Sequence, residues 1–312
     1  MGGSRPFLKW AGGKGRLAPL IAERAPVAFG RYFEPFLGGG AVFFALARGG
    51  AVRSGATLSD LNAELMQTYA AVRDRRLLLG RELERLAEGY DRQGQAGRAA
   101  FYYTHRKATP AGRVERAARL IFLNRTCYNG LYRVNRAGDF NVPHGRYVRP
   151  RLHDAENLAA CSAALRGVEL RTEDFERTCA RARPGDFIYL DPPYQPLSAT
   201  SRFTSYTSAS FGPVEHERLA AAFEQLSARG VAALLSNSDH PAIRALYGGR
   251  GYTLEQVSMP RAINSNGAGR TPIPELLIAN GQRPEVKAAL LHFAEAEGQR
   301  DAFEGEGQAA GG

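Results

Sequence analysis

Phe187–Gln195 reads FIYLDPPYQ. Four apolar or aromatic residues make a short buried strand, and the two prolines end it because neither carries a backbone N–H for the ladder. A bare strand end would account for that much, but not for an acid at the last strand position or an aromatic after the prolines. Working outward, similar short strands are expected at 32–36, 56–60, 168–171, 231–236, 252–257 and 276–279. Helical stretches fall between them, at 41–48, from 64 to 73 and, with clear amphipathic spacing, at 215–229. Strands alternating with helices predict an α/β fold on a mostly parallel sheet. The strands before residue 61 and after residue 167 flank a long stretch that is helical and basic and then rich in Gly and Asn. That stretch is read as an insertion into the α/β domain.

The chain has 312 residues, 44% of them hydrophobic, enough for a sizeable core. No apolar run approaches the ~20 residues of a membrane span, and MGGSRPFLKW has no apolar signal region. Cys127, Cys161 and Cys179 lack C-x-x-C spacing and the six histidines form no H-E-x-x-H pair, so neither a structural metal nor a disulfide is expected. A reducing cytoplasm is the corresponding location.

The formal charge is +10, and lysine appears only at Lys9, Lys14, Lys107 and Lys287. Between Phe101 and Arg151 lie Arg106, Lys107, Arg113, Arg116, Arg119, Arg125, Arg133, Arg136, Arg146, Arg149 and Arg151, against only Glu115 and Asp139. Such a run reads either as a solvated face or as a phosphate-binding surface. Phe101, Tyr102, Tyr103, Tyr128, Tyr132 and Tyr147 are interleaved with it, which suits phosphate neutralisation combined with insertion beside bases.

Strand 32–36 runs into LGGG, where Gly38 and Gly40 stand between a strand and a helix. Glycines there let a ligand approach the backbone at the carboxyl edge of the sheet, but the third position of G-x-G-x-x-G is Phe43, so the fit to a pyrophosphate is incomplete. Asp60 ends the next strand, where an acid can accept from ribose hydroxyls. Together they suit an adenosine without a pyrophosphate. AGGKG at 11–15 lacks P-loop spacing.

An adenosine-like cofactor and a nucleic-acid surface give DPPY a task. The exocyclic amine of adenine is a poor nucleophile because its lone pair is delocalised into the ring. Asp191 and the Pro192 carbonyl can accept its two N–H bonds and stabilise the charge that develops during methyl transfer. Pro193 keeps Pro192 extended, and Tyr194 offers a face on which an extruded base can stack.

FLKWAGGKGRL (7–17), FEPFLGGGAVFF (33–44), NRTCYNGLYRVN (124–135), DFNVPHG (139–145), DPPYQPLSATSRFTSY (191–206) and INSNGAGR (263–270) together resemble the D12 class of DNA adenine methyltransferases, the Dam type that modifies adenine in GATC. The resemblance implies a Rossmann-like S-adenosylmethionine domain over 5–70 and 155–283. It also implies a mainly helical target-recognition insertion over 71–154 and an extension at 284–312, disordered from about 295. It implies N6-methyladenine in double-stranded DNA as product and extrusion of the target base. By the same resemblance, Trp10, Lys14, Glu34, Phe36, Gly38, Gly40, Asp60, Phe175 and Asp191 match cofactor-binding positions. Asp191, Pro192, Pro193 and Tyr194 match the catalytic motif, while Lys9, Arg125, Tyr128, Asn129, Leu131, Arg133 and Pro143 match DNA-binding positions. Arg133 could grip guanine O6 and N7, and Leu131 or Pro143 could touch a thymine methyl. A monomer without a metal or a membrane partner is expected. An RNA or cytosine methyltransferase with D-P-P-Y should lack the 124–135 and 139–145 stretches, and a non-catalytic binding module should have lost Asp191 or the glycine turn.

Overall fold

The computed structural model describes residues 3–10, 12–147, 150–195, 211–259 and 273–281. The expectations for Arg149, for 196–206, for INSNGAGR and for the C-terminal extension lie outside them.

Seven strands form one sheet: β1 (Tyr32–Glu34), β2 (Ala56–Asp60), β3 (Glu169–Thr172), β4 (Phe187–Leu190), β5 (Ala232–Ser238), β6 (Thr253–Met259) and β7 (Ile273–Ala279). Their spatial order is β3-β2-β1-β4-β5-β7-β6, and every pairing is parallel except those of β7, which runs against both β5 and β6. All the expected strands are present, with ends shifted by up to three residues. Asp191 stands just past β4 rather than within it.

The central strands are apolar throughout because helices cover both faces of the sheet. Phe187 and Tyr189 of β4 join the core on one face, with Tyr32 of β1. Ile188 and Leu190 join the core on the other, with Phe33. The first face packs against α1 (Ala18–Arg24), α2 (Ala41–Arg48), α3 (Ala63–Asp74) and α7 (Ala155–Ala164), and the second against α8 (Phe175–Arg181), α9 (Pro213–Ala228) and α10 (Pro241–Tyr247). Local chemistry sets the helix starts. The side chains of Asn62 and Asp154 accept the Leu65 and Asn157 N–H groups at the heads of α3 and α7. Pro213 opens α9, where Glu215 reaches back to the Gly212 N–H.

Between α3 and α7 stand α4 (Arg76–Arg92), α5 (Gly94–Lys107) and α6 (Arg113–Thr126), then a 3-10 turn at Tyr128–Gly130 and two isolated antiparallel bridges, Cys127 with His144 and Val134 with Phe140. Leu79, Leu83, Leu86, Tyr90, Tyr102 and Phe122 of these helices belong to the same apolar cluster as α2 and α3. The inserted helices thus extend the core of the first face, and Tyr132, Phe140 and Val142 of the loops after α6 join the same cluster.

Candidate active site

β1 and β4 lie side by side in parallel, but the chain leaves β1 toward β2 on one side and β4 toward β5 on the other. The connections diverge here, opening a crevice at the carboxyl ends of the two strands, the usual ligand position in an open α/β sheet. The glycine turn stands on the β1 side and Asp191 on the β4 side.

The turn has little room for side chains. Gly38 and Gly40 have φ of 47° and 68°, the left-handed region. A Cβ on Gly38 would come within 2.7 Å of the Trp10 ring, and one on Gly40 within 2.6 Å of the Tyr69 hydroxyl. Asp60 accepts the Gly38 N–H at 3.0 Å with one carboxylate oxygen and the Asn62 N–H at 2.9 Å with the other. Burial pushes its carboxyl above the ordinary value against these bonds. Trp10 lies over the turn and stacks on Tyr132 at 5.1 Å. On the second face of the sheet Phe36 stacks on Phe175 at 5.3 Å, and Phe211 packs against both. The result is an aromatic-walled cradle with an acid at its edge.

Asp191 is joined to a second set of groups. One of its oxygens accepts the Ser236 hydroxyl at 2.8 Å and faces the Lys14 ammonium at 3.1 Å. Ser236 is in turn linked to the Tyr189 hydroxyl at 2.8 Å. The Asp191 side chain is 19% exposed and that of Lys14 is 7% exposed. Burial raises the Asp191 pKa, opposed by Lys14 and by the Ser236 bond. Lys14 also donates to the Gly12 carbonyl and sits 4.3 Å from the centre of the Tyr194 ring. The Tyr194 hydroxyl donates to Glu275 at 2.6 Å. Beyond it, Gln195 is pinned by its N–H to Asn237 and by its carbonyl to the Ser238 hydroxyl. The segment leaving β4 is therefore fixed by β5 and β7. Pro192 is buried and Pro193 exposed.

Two expected site residues are turned inward. Glu34 is 2% exposed, and one of its oxygens accepts both the Tyr32 hydroxyl and the Phe43 N–H, so it braces the glycine turn from beneath. Burial, with the Asp191 charge adding to it, lifts its pKa to about 8. Arg125 is half-buried and donates to the Phe7 carbonyl, and desolvation lowers its pKa. The charge pattern of a sequence cannot tell such an arginine from one that faces solvent.

The remaining expected DNA contacts gather on the loops after α6. Tyr128 is 54% exposed, Asn129 adopts a left-handed φ of 54°, and Pro143 is exposed, its carbonyl accepting the Tyr128 N–H. Lys9 joins them from the N-terminal segment, its ammonium 4.5 Å from the centre of the Tyr147 ring. Leu131 is half-buried against the core. Arg133 is exposed and docks its guanidinium on Asn141, with Nε on the side-chain oxygen at 2.7 Å. Of the basic run, Arg106, Arg116 and Arg119, like Arg125, donate to backbone carbonyls. Lys107, Arg113, Arg136, Arg146 and Arg151 are exposed. Ser236, Asn62, Tyr132 and Glu275 were not anticipated at the site. Only Asn62 had a local signal, as an N-cap.

A sheet in the order 3-2-1-4-5-7-6 with its seventh strand reversed, a glycine turn at the divergence of β1 and β4 and an acid on the neighbouring strand define a Rossmann-like methyltransferase. Residues 10–263 match the family described as D12 class N6 adenine-specific DNA methyltransferase, and the chain belongs to that family. It is 38% identical over 284 residues to the type II methyltransferase M1.LlaDCHI of Lactococcus lactis subsp. cremoris, covering 88% of this chain and 95% of that one. It is 40% identical over 288 residues to the type II methyltransferase M.MjaIII of Methanocaldococcus jannaschii, covering 88% and 99%. The DNA adenine methylase of Escherichia coli K12 is 35% identical over 279 residues, covering 88% and 94%. The protein is an adenine-specific DNA methyltransferase that uses a methyl donor. Among the described residues, no helix is long and apolar enough to cross a membrane, and no group of His, Cys, Asp or Glu is arranged to hold a metal.

Proposed function

We propose that the protein methylates N6 of adenine in GATC, using S-adenosylmethionine and turning the target adenine out of the duplex onto Tyr194. The observation that carries this reading is the seating of Asp191 at the sheet divergence, with Lys14 against its carboxylate and the Tyr194 ring beside it. The crevice suits the donor. Its glycine turn has no room for a Cβ, its walls are aromatic, Asp60 retains acceptor capacity beside the turn, and Lys14 offers a cation. In this assignment Trp10, Phe36, Phe175, Gly38, Gly40, Asp60 and Lys14 hold the donor, while Glu34 supports the turn.

When bound, the donor supplies an electrophilic methyl group on a sulfonium. Asp191 accepts one N–H of the adenine amine and the Pro192 carbonyl the other, which localises the nitrogen lone pair toward the methyl carbon. Once N6 holds the methyl group, the Asp191 carboxylate would take the proton that the nitrogen sheds. Lys14 favours the ionised carboxylate that this task needs. Tyr194 stacks on the extruded base and takes the place of the base-pair neighbours it had in the duplex.

Residues 71–154 act in this reading as the target-recognition part, with 5–70 and 155–283 as the catalytic part. Lys9, Tyr128, Asn129, Leu131, Arg133 and Pro143 approach the bases. For Arg133 to grip a guanine edge it exchanges Asn141 for O6 and N7. The test is methylation of GATC and of each single-base variant by the parent and by Arg133→Ala. Loss of a bidentate contact costs about 1–3 kcal/mol of discrimination at one base pair. A uniform loss at all sites would mark Arg133 as a phosphate clamp or a structural arginine.

A further inference from the structure

β7 is the one strand of the described sheet that runs opposite to all the others, and this direction has a chemical consequence. A parallel strand brings its C-terminal end to the crevice, whereas a reversed strand brings its N-terminal end. Glu275, near the start of β7, is in register with Ser238 at the end of β5, and the Asp239 N–H to Pro274 carbonyl bond fastens that corner. Its carboxylate thereby reaches the segment leaving β4, accepting the Tyr194 hydroxyl at 2.6 Å and lying 3.9 Å from the Lys14 ammonium.

We propose that Glu275 is a positioning residue for methyl transfer, acting through the Tyr194 hydroxyl to fix the plane of the ring on which the target base stacks. The inference rests on the role assigned above to Tyr194. A tyrosine ring on a mobile χ1 and χ2 would hold an extruded adenine at a range of tilts, and small errors of position at a reacting atom are costly to rate. The hydroxyl is on the far end of the ring from the backbone, so a bond there, with the pinning of Gln195 by Asn237 and Ser238, restrains the ring at both ends. A charged acceptor makes that restraint short and strong. The Lys14 ammonium, 4.3 Å from the ring centre and 3.9 Å from the Glu275 carboxylate, is the longer of the two contacts that Glu275 makes here, and the variants below separate it from the hydroxyl bond.

The experiment measures single-turnover methyl transfer to GATC-containing DNA at saturating DNA and S-adenosylmethionine, alongside DNA affinity, with the full chain. Glu275→Ala is expected to lower the rate by about tenfold or more, the scale of a lost hydrogen bond to a charged group, with DNA affinity changed by less than about twofold. Tyr194→Phe should show a comparable loss, and Glu275→Ala with Tyr194→Phe together should be no slower than the slower single variant. Glu275→Gln keeps an acceptor and should recover most of the rate. The proposal is overturned if the two losses multiply, if Glu275→Ala transfers at the parental rate, or if Glu275→Gln is as slow as Glu275→Ala, which would route the effect through charge on Lys14. If Glu275→Ala does not fold, Glu275→Met, which fills the space without a carboxylate acceptor, takes its place in the cycle against Tyr194→Phe and carries the same decision. A parent that methylates no adenine would instead overturn the proposed function.

Discussion

Asn124, at the end of α6, and the backbone of Lys9 hold each other reciprocally. The Lys9 N–H donates to the Asn124 side-chain oxygen at 2.7 Å, and the Asn124 amide donates to the Lys9 carbonyl at 2.7 Å and to the Gly130 carbonyl at 3.0 Å. Asn124 is fully buried. One amide thus fixes the segment carrying Lys9 and Trp10 to the turn carrying Tyr128 and Asn129, joining the residues proposed to hold the donor to those proposed to meet DNA. Asn124→Ala leaves these backbone groups without their partner and should cost about 2–3 kcal/mol of stability. Urea unfolding checks this, and a cost under ~0.5 kcal/mol would mean that other groups hold the segment.

The inward arginines separate stability from DNA affinity. Arg119 donates to the His105 and Arg106 carbonyls and pairs with Glu64, so Arg119→Ala should lower stability and leave the salt dependence of DNA binding unchanged. Arg146 is exposed beside Tyr147, whose ring faces Lys9. If it meets a phosphate, Arg146→Ala should flatten the slope of log affinity against log salt by about 0.9, from a parental slope near −4 to −5 for about five contacts. Fluorescence anisotropy across a salt series reads both. A parental slope near zero would return the basic run to a solvated face.

Glu34 gives a pH signature. Its folded pKa of about 8 is raised above the ordinary carboxyl value, so the folded state holds a proton that the unfolded state has released. Its contribution to stability is full below the unfolded pKa and is lost as pH rises through about 8. Glu34→Gln keeps an oxygen for the Tyr32 and Phe43 donors without the titration. The gap between Glu34→Gln and the parent should therefore shift in favour of the variant from pH 5 to pH 9, as followed by denaturant midpoints. A constant gap would contradict a buried, protonated Glu34.

The local elements were legible because each has a local cause. FIYLDPPYQ announces a buried strand with a hard stop, and LGGG before an apolar helix announces a turn that tolerates no side chain. The strand order was not legible. Nothing in residues 273–279 says that β7 inserts backwards between β5 and β6, so Glu275 could not be connected with Tyr194 across 81 positions of sequence. Arginine direction was equally hidden. Arg125 and Arg133 stand eight residues apart in one basic run, yet the first binds the Phe7 carbonyl and the second lies on the surface, because the packing of α6 against the N-terminal segment decides which one turns in.

Asp191 carries the chemistry in this account while the basic loops carry the grip on DNA, and these roles separate in one measurement. Parent and Asp191→Ala are incubated with GATC-containing duplex and S-adenosylmethionine, N6-methyladenine is quantified by mass spectrometry after digestion, and DNA affinity is measured on the same preparations. The parent should place N6-methyladenine at the GATC adenine. Asp191→Ala should form almost none, at least about a hundredfold less, the scale of losing a principal stabilising group, while binding the duplex within about threefold of the parent. Near-parental methylation by Asp191→Ala would contradict the assigned mechanism.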